Sequence, residues 1–252
     1  MCKNEVMIIG YTQSFRRCET KYMLTEKQAA DFLSAAEDIL CSDRYTDYTI
    51  SNIYLDTDDY YFIKHSLDKP IYKEKLRLRC YGTADDNSAV FLEIKKKYRG
   101  IVYKRRITVP HCEAMQYINH GIKPESLTGF TPNQIFSEID HLFRKYSPSP
   151  KLFLAYDRMA YYMKDKPDVR ITFDTGIRSR QDRLSLKIND PAEYLDTGTE
   201  NYRLMELKFT EAVPLEITKI LSELKIYPVS FSKYGRIYTD MIQPQHRKEI
   251  TV

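Results

Sequence analysis

The sequence predicts an α+β fold: a closed antiparallel β-barrel of about eight strands with flanking helices. Two observations lead there. Acid–x–Lys triplets recur in separate strand-like stretches, at Glu19-Thr20-Lys21, Glu93-Ile94-Lys95 and Glu206-Leu207-Lys208. A fourth stretch, Lys75-Leu76-Arg77-Leu78-Arg79, alternates cations with leucines. Side chains alternate faces along a strand, so each segment has one charged and one apolar face. In a lone strand the charged face meets water. Four such strands make a second arrangement attractive, with charged faces lining a lumen, apolar faces under helices, and edges removed by closure.

The elements follow in order. Residues 13–22 read as a first strand with Arg17, Glu19 and Lys21 on one face. Thr25-Glu26-Lys27-Gln28 is a capping box that opens a helix to about Leu40, with Ala29, Phe32, Leu33 and Ala36 inward. A strand over 48–56 places Ile53 and Leu55 on one face. Strands over 71–81, 89–98 and 101–109 come next, the last two joined by the tight hairpin signal Arg99-Gly100. A short helix is expected near 112–119. Thr131-Pro132 reads as an N-cap with Pro at the first helical position, opening a helix to about Tyr146 that Ser147-Pro148-Ser149-Pro150 ends. Strands recur over 151–161, 168–175, 183–188 and 202–210. Pro214 starts a helix to about Lys225, and Phe231-Ser232-Lys233-Tyr234 leads into a short final one. The Tyr pairs at 60–61 and 161–162 read as core or strand packing. No linker or repeat divides the chain, so one domain over 1–252 is expected, with flexible tails at 1–12 and 244–252.

Composition bounds the function. With 252 residues, 42% hydrophobic and 13% aromatic, the chain can bury a substantial core. Its five cysteines are scattered without a C-x-x-C pair, which fits neither a disulfide framework nor a zinc knuckle and suits a reducing cytoplasm. No apolar run approaches the roughly 20 residues of a membrane span, so a cytoplasmic protein is expected. The net charge of +4 is too small for a nucleic-acid footprint. Its distribution carries more information. The expected lumenal face collects Arg17, Lys21, Arg77, Arg79, Lys95, Lys97, Lys104, Arg106, Arg158, Arg170, Lys208 and Lys233 with only Glu19, Glu93, Asp174 and Glu206. More acids than cations then remain outside. A cationic interior in a slightly acidic shell suits a buried polyanion.

Individual residue types sharpen this. Arg77 and Arg79 are suited to bidentate phosphate contact. Glu19, Glu93 and Glu206 each have two readings: salt bridges that hold like charges apart in an empty lumen, or ligands for Mg²⁺ or Mn²⁺, which take carboxylate and phosphate oxygens. The five histidines show no metal spacing, no serine sits in a nucleophile-elbow context, and no G-x-x-x-x-G-K-[ST] loop is present.

Phe15-Arg16-Arg17-Cys18-Glu19-Thr20-Lys21-Tyr22, Ser51-Asn52-Ile53-Tyr54-Leu55-Asp56-Thr57, Lys75 to Arg79, Phe91 to Lys95, Tyr156-Asp157-Arg158, Arg170 to Asp174, Glu206 to Phe209 and Ser232-Lys233-Tyr234 occur in one order. That order resembles a VTC domain, the polyphosphate-polymerase domain of the vacuolar transporter chaperone family, a branch of the triphosphate tunnel metalloenzymes (CYTH-like superfamily). The resemblance runs from about residue 13 to 242. It implies a barrel whose basic tunnel holds a divalent metal, Mn²⁺ or Mg²⁺, and moves the γ-phosphate of ATP onto a growing polyphosphate chain.

Carried over, the resemblance implies Lys95, Arg158 and Lys233 as catalytic residues. It implies Lys21, Arg77, Arg79, Lys104, Arg170 and Lys208 as substrate-binding residues, to which the alternation of charge along their strands adds Lys97 and Arg106. Glu206 is the implied metal ligand, with Glu93 and Glu19 beside it. Lys97 stands where the eukaryotic polymerase has a histidine. No SPX domain precedes the tunnel and no membrane segment follows it, so regulation and export are expected to fall to other chains, such as a separate membrane protein at the inner face of a membrane, or to nothing. Expected ligands are ATP, triphosphate and polyphosphate, with no nucleic acid. An inorganic tri- or polyphosphatase and a non-catalytic polyphosphate-binding module are the alternatives.

Overall fold

A computed structural model describes residues 18–99, 101–187 and 201–244. Its frame is an eight-stranded, wholly antiparallel sheet in the order β1-β8-β7-β6-β2-β3-β4-β5. The strands are β1 (Cys18–Thr25), β2 (Leu40–Asp56), β3 (Tyr72–Tyr81), β4 (Ala89–Tyr98), β5 (Ile101–Pro110), β6 (Ser149–Met163), β7 (Arg170–Arg180) and β8 (Tyr202–Phe209). Helices α1 (Glu26–Ala35), α3 (His111–His120), α4 (Phe130–Tyr146) and α5 (Leu215–Glu223) supply apolar residues to the cores on its outer face. The short α2 (Tyr61–Leu67) and α6 (Lys233–Ile237), with a π-helical turn at Tyr238–Ile242, pack at the inner face.

The alternating pattern explains the layers. Leu76, Leu78, Leu92, Ile94 and Ile107 point outward under α3 and α4, in a core with Tyr117, Phe136 and Ile139. Leu207, Met205, Ile171 and Phe173 point outward on the other half, against Phe32 of α1 and Ile217 of α5. A third cluster lies inside the curl: Ile50, Tyr54, Leu152, Leu154 and Tyr156 pack on Tyr234, Ile237 and Tyr238 of the C-terminal helical segment.

The expected closed barrel is not formed. The sheet ends at β1 on one side and β5 on the other, and no ladder joins them among the described residues. Chain pairing gives the reason. The outer edge of β1 is taken by a different segment, since Tyr22 bridges Pro228 and Val229 N–H donates to Lys21 O at 2.7 Å. Among the described residues the sheet therefore curls without closing its ladder, and the Lys95–Glu19 ion pair reaches across the seam.

Several boundaries also differ from expectation. The Thr25–Gln28 capping box is present, but α1 stops at Ala35 and β2 begins at Leu40, far upstream of residue 48. Residues 13–17, including Arg17, and the tails at 1–12 and beyond Pro244 lie outside the described residues. The long helix starts at Phe130 with Gly129 as N-cap at φ +84°, a backbone that favours glycine, so Pro132 is its third residue rather than its first. The expected strand over 183–188 is irregular through Lys187, its last described residue. Arg180 donates to the carbonyls of Arg183 and Ser185, so this backbone turns onto a side chain instead of a neighbouring strand.

Of the core or strand packing expected at Tyr60–Tyr61, Tyr60 packs on the third core, but it does so as the N-cap of helix α2 rather than from a strand. Buried Asp56 accepts from the backbone N–H groups of Thr57, Phe62 and Ile63 and from the Tyr234 hydroxyl. One carboxylate thus starts α2 and ties α6 to it. Among the described residues no helix is long and apolar enough to cross a membrane.

Candidate functional site: a cationic concave face

Register brings the predicted residues onto one face. In β3 and β4, Arg77 is opposite Glu93 and Lys75 is opposite Lys95; in β4 and β5, Glu93 is opposite Arg106 and Lys95 opposite Lys104. In β1 and β8, Lys21 is opposite Glu206 and Glu19 opposite Lys208. In β6 and β7, Arg158 is opposite Asp174. Two buried carboxylate hubs organise these groups.

The first hub is Glu93, only 1% exposed. Arg77 contacts its Oε2 through Nη2 at 2.6 Å and Nε at 2.7 Å, and Lys104 Nζ lies 2.7 Å from Oε1. Arg79 Nε and Arg106 Nη1 stand 3.9 Å away. Burial alone would raise the Glu93 carboxyl, but Arg77, Arg79 and Lys104 hold it well below the usual range. Arg79 also donates to Asn52 Oδ1 at 2.8 Å and to the Tyr156 hydroxyl at 3.3 Å, which fixes its guanidinium.

The second hub joins Asp174 and Glu206. Arg158 grips Asp174 with two hydrogen bonds of 2.6 and 2.7 Å and reaches Glu206 Oε2 at 3.3 Å. Lys233 lies between the same two acids, at 2.5 Å from Asp174 and 3.6 Å from Glu206, and over the Tyr156 ring at 4.3 Å. Lys208 donates to Glu206 Oε2 at 3.0 Å. Burial pushes Glu206 upward, yet Lys208, Lys233, Lys21 and Arg158 hold it well below the carboxylate norm. Tyr156 is likewise drawn below an ordinary phenol, against its burial, by Arg79, Arg158 and Lys233.

Lys21 links this hub to the sheet's seam. Its Nζ stands 3.5 Å from Glu19 and 3.6 Å from Glu206, and donates to Phe231 O at 3.0 Å. Burial raises Glu19, but Lys95 first, then Lys21 and Lys208, bring it down to about 2. Lys75 differs from its neighbours. It donates to Ser232 Oγ at 3.0 Å and has no carboxylate within ion-pair distance among the described residues. Burial, with Lys95, Lys21, Lys73 and Arg77 around it, lowers its ammonium to about 7.

Two predicted residues stand apart. Arg170 is in register with Lys208, but its guanidinium pairs with Asp43 on β2. Lys97 is exposed at the far end of β4, opposite Lys73 and Val102, and outside both hubs. Three contributors received no role from the sequence. Asp174 lies two residues beyond Thr172 on the charged side of its strand, Tyr156 stands two before Arg158, and Asn52 sits in Ser51-Asn52-Ile53. Period-two spacing from a known cation marks the first two; nothing local marks Asn52 as an arginine's acceptor.

The donor set can be compared with the needs of a divalent metal. No cage of three or more His, Cys, Asp or Glu side chains is gathered among the described residues. Mg²⁺ commonly takes one or two carboxylates and completes its shell with substrate oxygens and water. Glu19 and Glu206 fit that half-shell, because they already share one cation, the Lys21 ammonium, between them. Glu93 does not, since two cations hold its two oxygens at close range and its side chain is closed to solvent.

The model of one family, the VTC domain, matches residues 16–242. The chain belongs to the VTC domain family. No curated protein sequence matches it. Among solved structures, a candidate adenylate cyclase from Bacillus halodurans shares the fold with a TM-score of 0.53 at 16% identity, covering 90% of this chain and 100% of that one. A candidate adenylyl cyclase from Hippeastrum, described as revealing a dominant triphosphatase activity, aligns at a TM-score of 0.48 and 12% identity over 88% and 95% of the two chains. Membership of the VTC domain family rests on the whole described sheet, since the matched span runs from β1 through the π-helical turn.

Proposed function

We propose that this VTC-domain chain is a divalent-metal-dependent polyphosphate polymerase, which transfers the γ-phosphate of ATP to a polyphosphate chain lying on the concave face. The observation that carries the reading is the pairing pattern. Arg77, Arg79, Lys104, Arg158, Lys208, Lys21 and Lys233 are arranged before any ligand arrives, each held by Glu93, Asp174, Glu206 or Asn52. Phosphoryl transfer needs alignment and neutralisation of charge on the equatorial oxygens more than covalent chemistry. Fixed cations supply both without reorganisation during the reaction. Lys75, with no carboxylate of its own, gains most when a phosphate oxygen comes into reach.

The carboxylates favour transfer to phosphate over transfer to water. A general base works best with a pKa near the working pH. Glu19 sits at about 2, and Glu93, Asp174 and Glu206 are all held below the usual carboxylate range, so each is a poor proton acceptor. A terminal phosphate is already an oxyanion and needs no base. A bound Mg²⁺ or Mn²⁺ would supply further neutralisation of phosphate charge, with Glu206 and Glu19 as its protein ligands. Lys95, Arg158 and Lys233 are the proposed catalytic cations. Lys21, Arg77, Arg79, Lys97, Lys104, Arg106, Arg170 and Lys208 are the proposed chain and triphosphate contacts.

The test is incubation with ATP and Mg²⁺ or Mn²⁺, with products resolved on a polyphosphate-stained gel beside a free-phosphate assay. A ladder of long chains is expected. Orthophosphate without chains would favour the phosphatase reading, and binding without turnover the non-catalytic one.

A further inference from the structure

At the end of β3 where Gly82 turns away, the concave face changes from arginine to aromatic. Tyr81 follows Arg79 by two residues, Phe91 is the register partner of Arg79, and Tyr48 is the register partner of Arg158. Alternation therefore puts all three rings on the face that carries the cations. They meet edge to face: Tyr48 and Tyr81 with centroids 5.5 Å apart at 68°, Tyr81 and Phe91 at 5.6 Å and 75°. Arg106 joins the rim to the first hub, lying over the Phe91 ring at 4.3 Å while its Nη1 stands 3.9 Å from Glu93. Tyr81 is 47% exposed, so this row is not a closed core.

Binding polyphosphate alone gives no reason for an aromatic row that leaves Tyr81 exposed, because a phosphate chain has no surface that stacks. A nucleoside triphosphate has one end of each kind. We propose that Tyr48, Tyr81 and Phe91 form a stacking site for the base of the donor nucleotide, with its phosphates running inward over Arg79 and Arg77. The proposal rests on the phosphate-binding reading above and adds to it a means of separating nucleotide from inorganic polyphosphate. Stacking on aromatic rings tolerates any base, since every base has a π-face. The site thus selects nucleoside triphosphates as a class and discriminates weakly between purines. One strand repeat of about 6.8 Å between Tyr81 and Arg79 leaves space for the sugar between ring and first phosphate contact.

The experiment measures equilibrium binding of ATP and of inorganic tripolyphosphate to the whole chain, as wild type, Tyr81→Ala and Tyr81→Phe. Tyr81→Ala should weaken ATP about tenfold, the scale of one lost base–aromatic stack, and leave tripolyphosphate unchanged. Tyr81→Phe should restore ATP, which a merely local packing defect in Tyr81→Ala would not separate from tripolyphosphate. Equal weakening of both ligands, or no loss of ATP, would overturn the stacking site and leave the phosphate reading standing. Wild-type protein that binds neither ligand would overturn both.

Discussion

Lys95 on β4 reaches Glu19 on β1 at 3.5 Å, although five strands lie between them in the sheet. Only strong curling brings the two together, and the contact crosses a seam that no backbone ladder closes among the described residues. The cationic face is therefore enclosed by side chains along this line. Glu19 is drawn down to about 2 chiefly by Lys95, against its own burial, so its carboxylate stays charged at neutral pH.

Glu93 holds the first half of the site. Its side chain is closed to solvent and faces Arg77, Arg79, Lys104 and Arg106. Glu93→Gln should leave buried cations without a counter-charge and cost about 3–5 kcal/mol of stability. Thermal melts should show a large drop, partly recovered by added tripolyphosphate, which replaces the missing charge. A variant that melts like wild type would contradict the hub.

Anion binding and metal dependence should separate by residue. Arg79→Ala removes a fixed guanidinium and should weaken tripolyphosphate by about 1.5–3 kcal/mol, with the fold retained. Glu206→Gln should lose metal-dependent turnover with a smaller loss of anion binding. Calorimetric titrations with and without Mn²⁺ distinguish them, and a Glu206→Gln protein with normal turnover would remove Glu206 from the metal assignment.

The pattern of period two made much of this face legible. Arg77, Arg79, Glu93, Lys95, Lys208 and Glu206 share a face because alternation is local, and a strand keeps it whatever its neighbours. Closure was not legible. Whether β1 pairs with β5 depends on its outer edge, and that edge is bound by Pro228 and Val229 from the far end of the chain. Helix α2 was missed for a similar reason. Its orphan N–H groups are met by Asp56, several residues ahead, while its N-cap Tyr60 sits at φ +62° and offers no side-chain bond. Asp174 lay in view on the charged side of its strand, but its role came only with its register against Arg158.

Lys75 gives the site a pH signature. Its ammonium falls to about 7 in the folded chain through burial and the cations around it, against about 10.4 when unfolded. Across that window the unfolded chain binds the extra proton, so the empty protein should grow more stable as pH rises from 7. A bound phosphate favours the charged form, so tripolyphosphate binding should take up a proton there and weaken with rising pH. Calorimetry at pH 8 in buffers of different ionisation enthalpy measures the uptake. Lys75→Met should reduce it and raise the melting temperature of the empty protein near pH 7; equal uptake in the two proteins would show that Lys75 does not change its protonation on binding.

The proposed reaction moves a γ-phosphate between phosphate oxygens on this face. Incubation with Mn²⁺ and ATP labelled at either the γ or the α position tests it most directly, followed by sizing of the labelled product. Transfer between phosphates should put γ label in long chains with ADP released in step and no α label in the chains, and Lys233→Ala, which removes the cation between Asp174 and Glu206, should synthesise little. Label from the γ position recovered only as orthophosphate, or α label carried into the product, would contradict it.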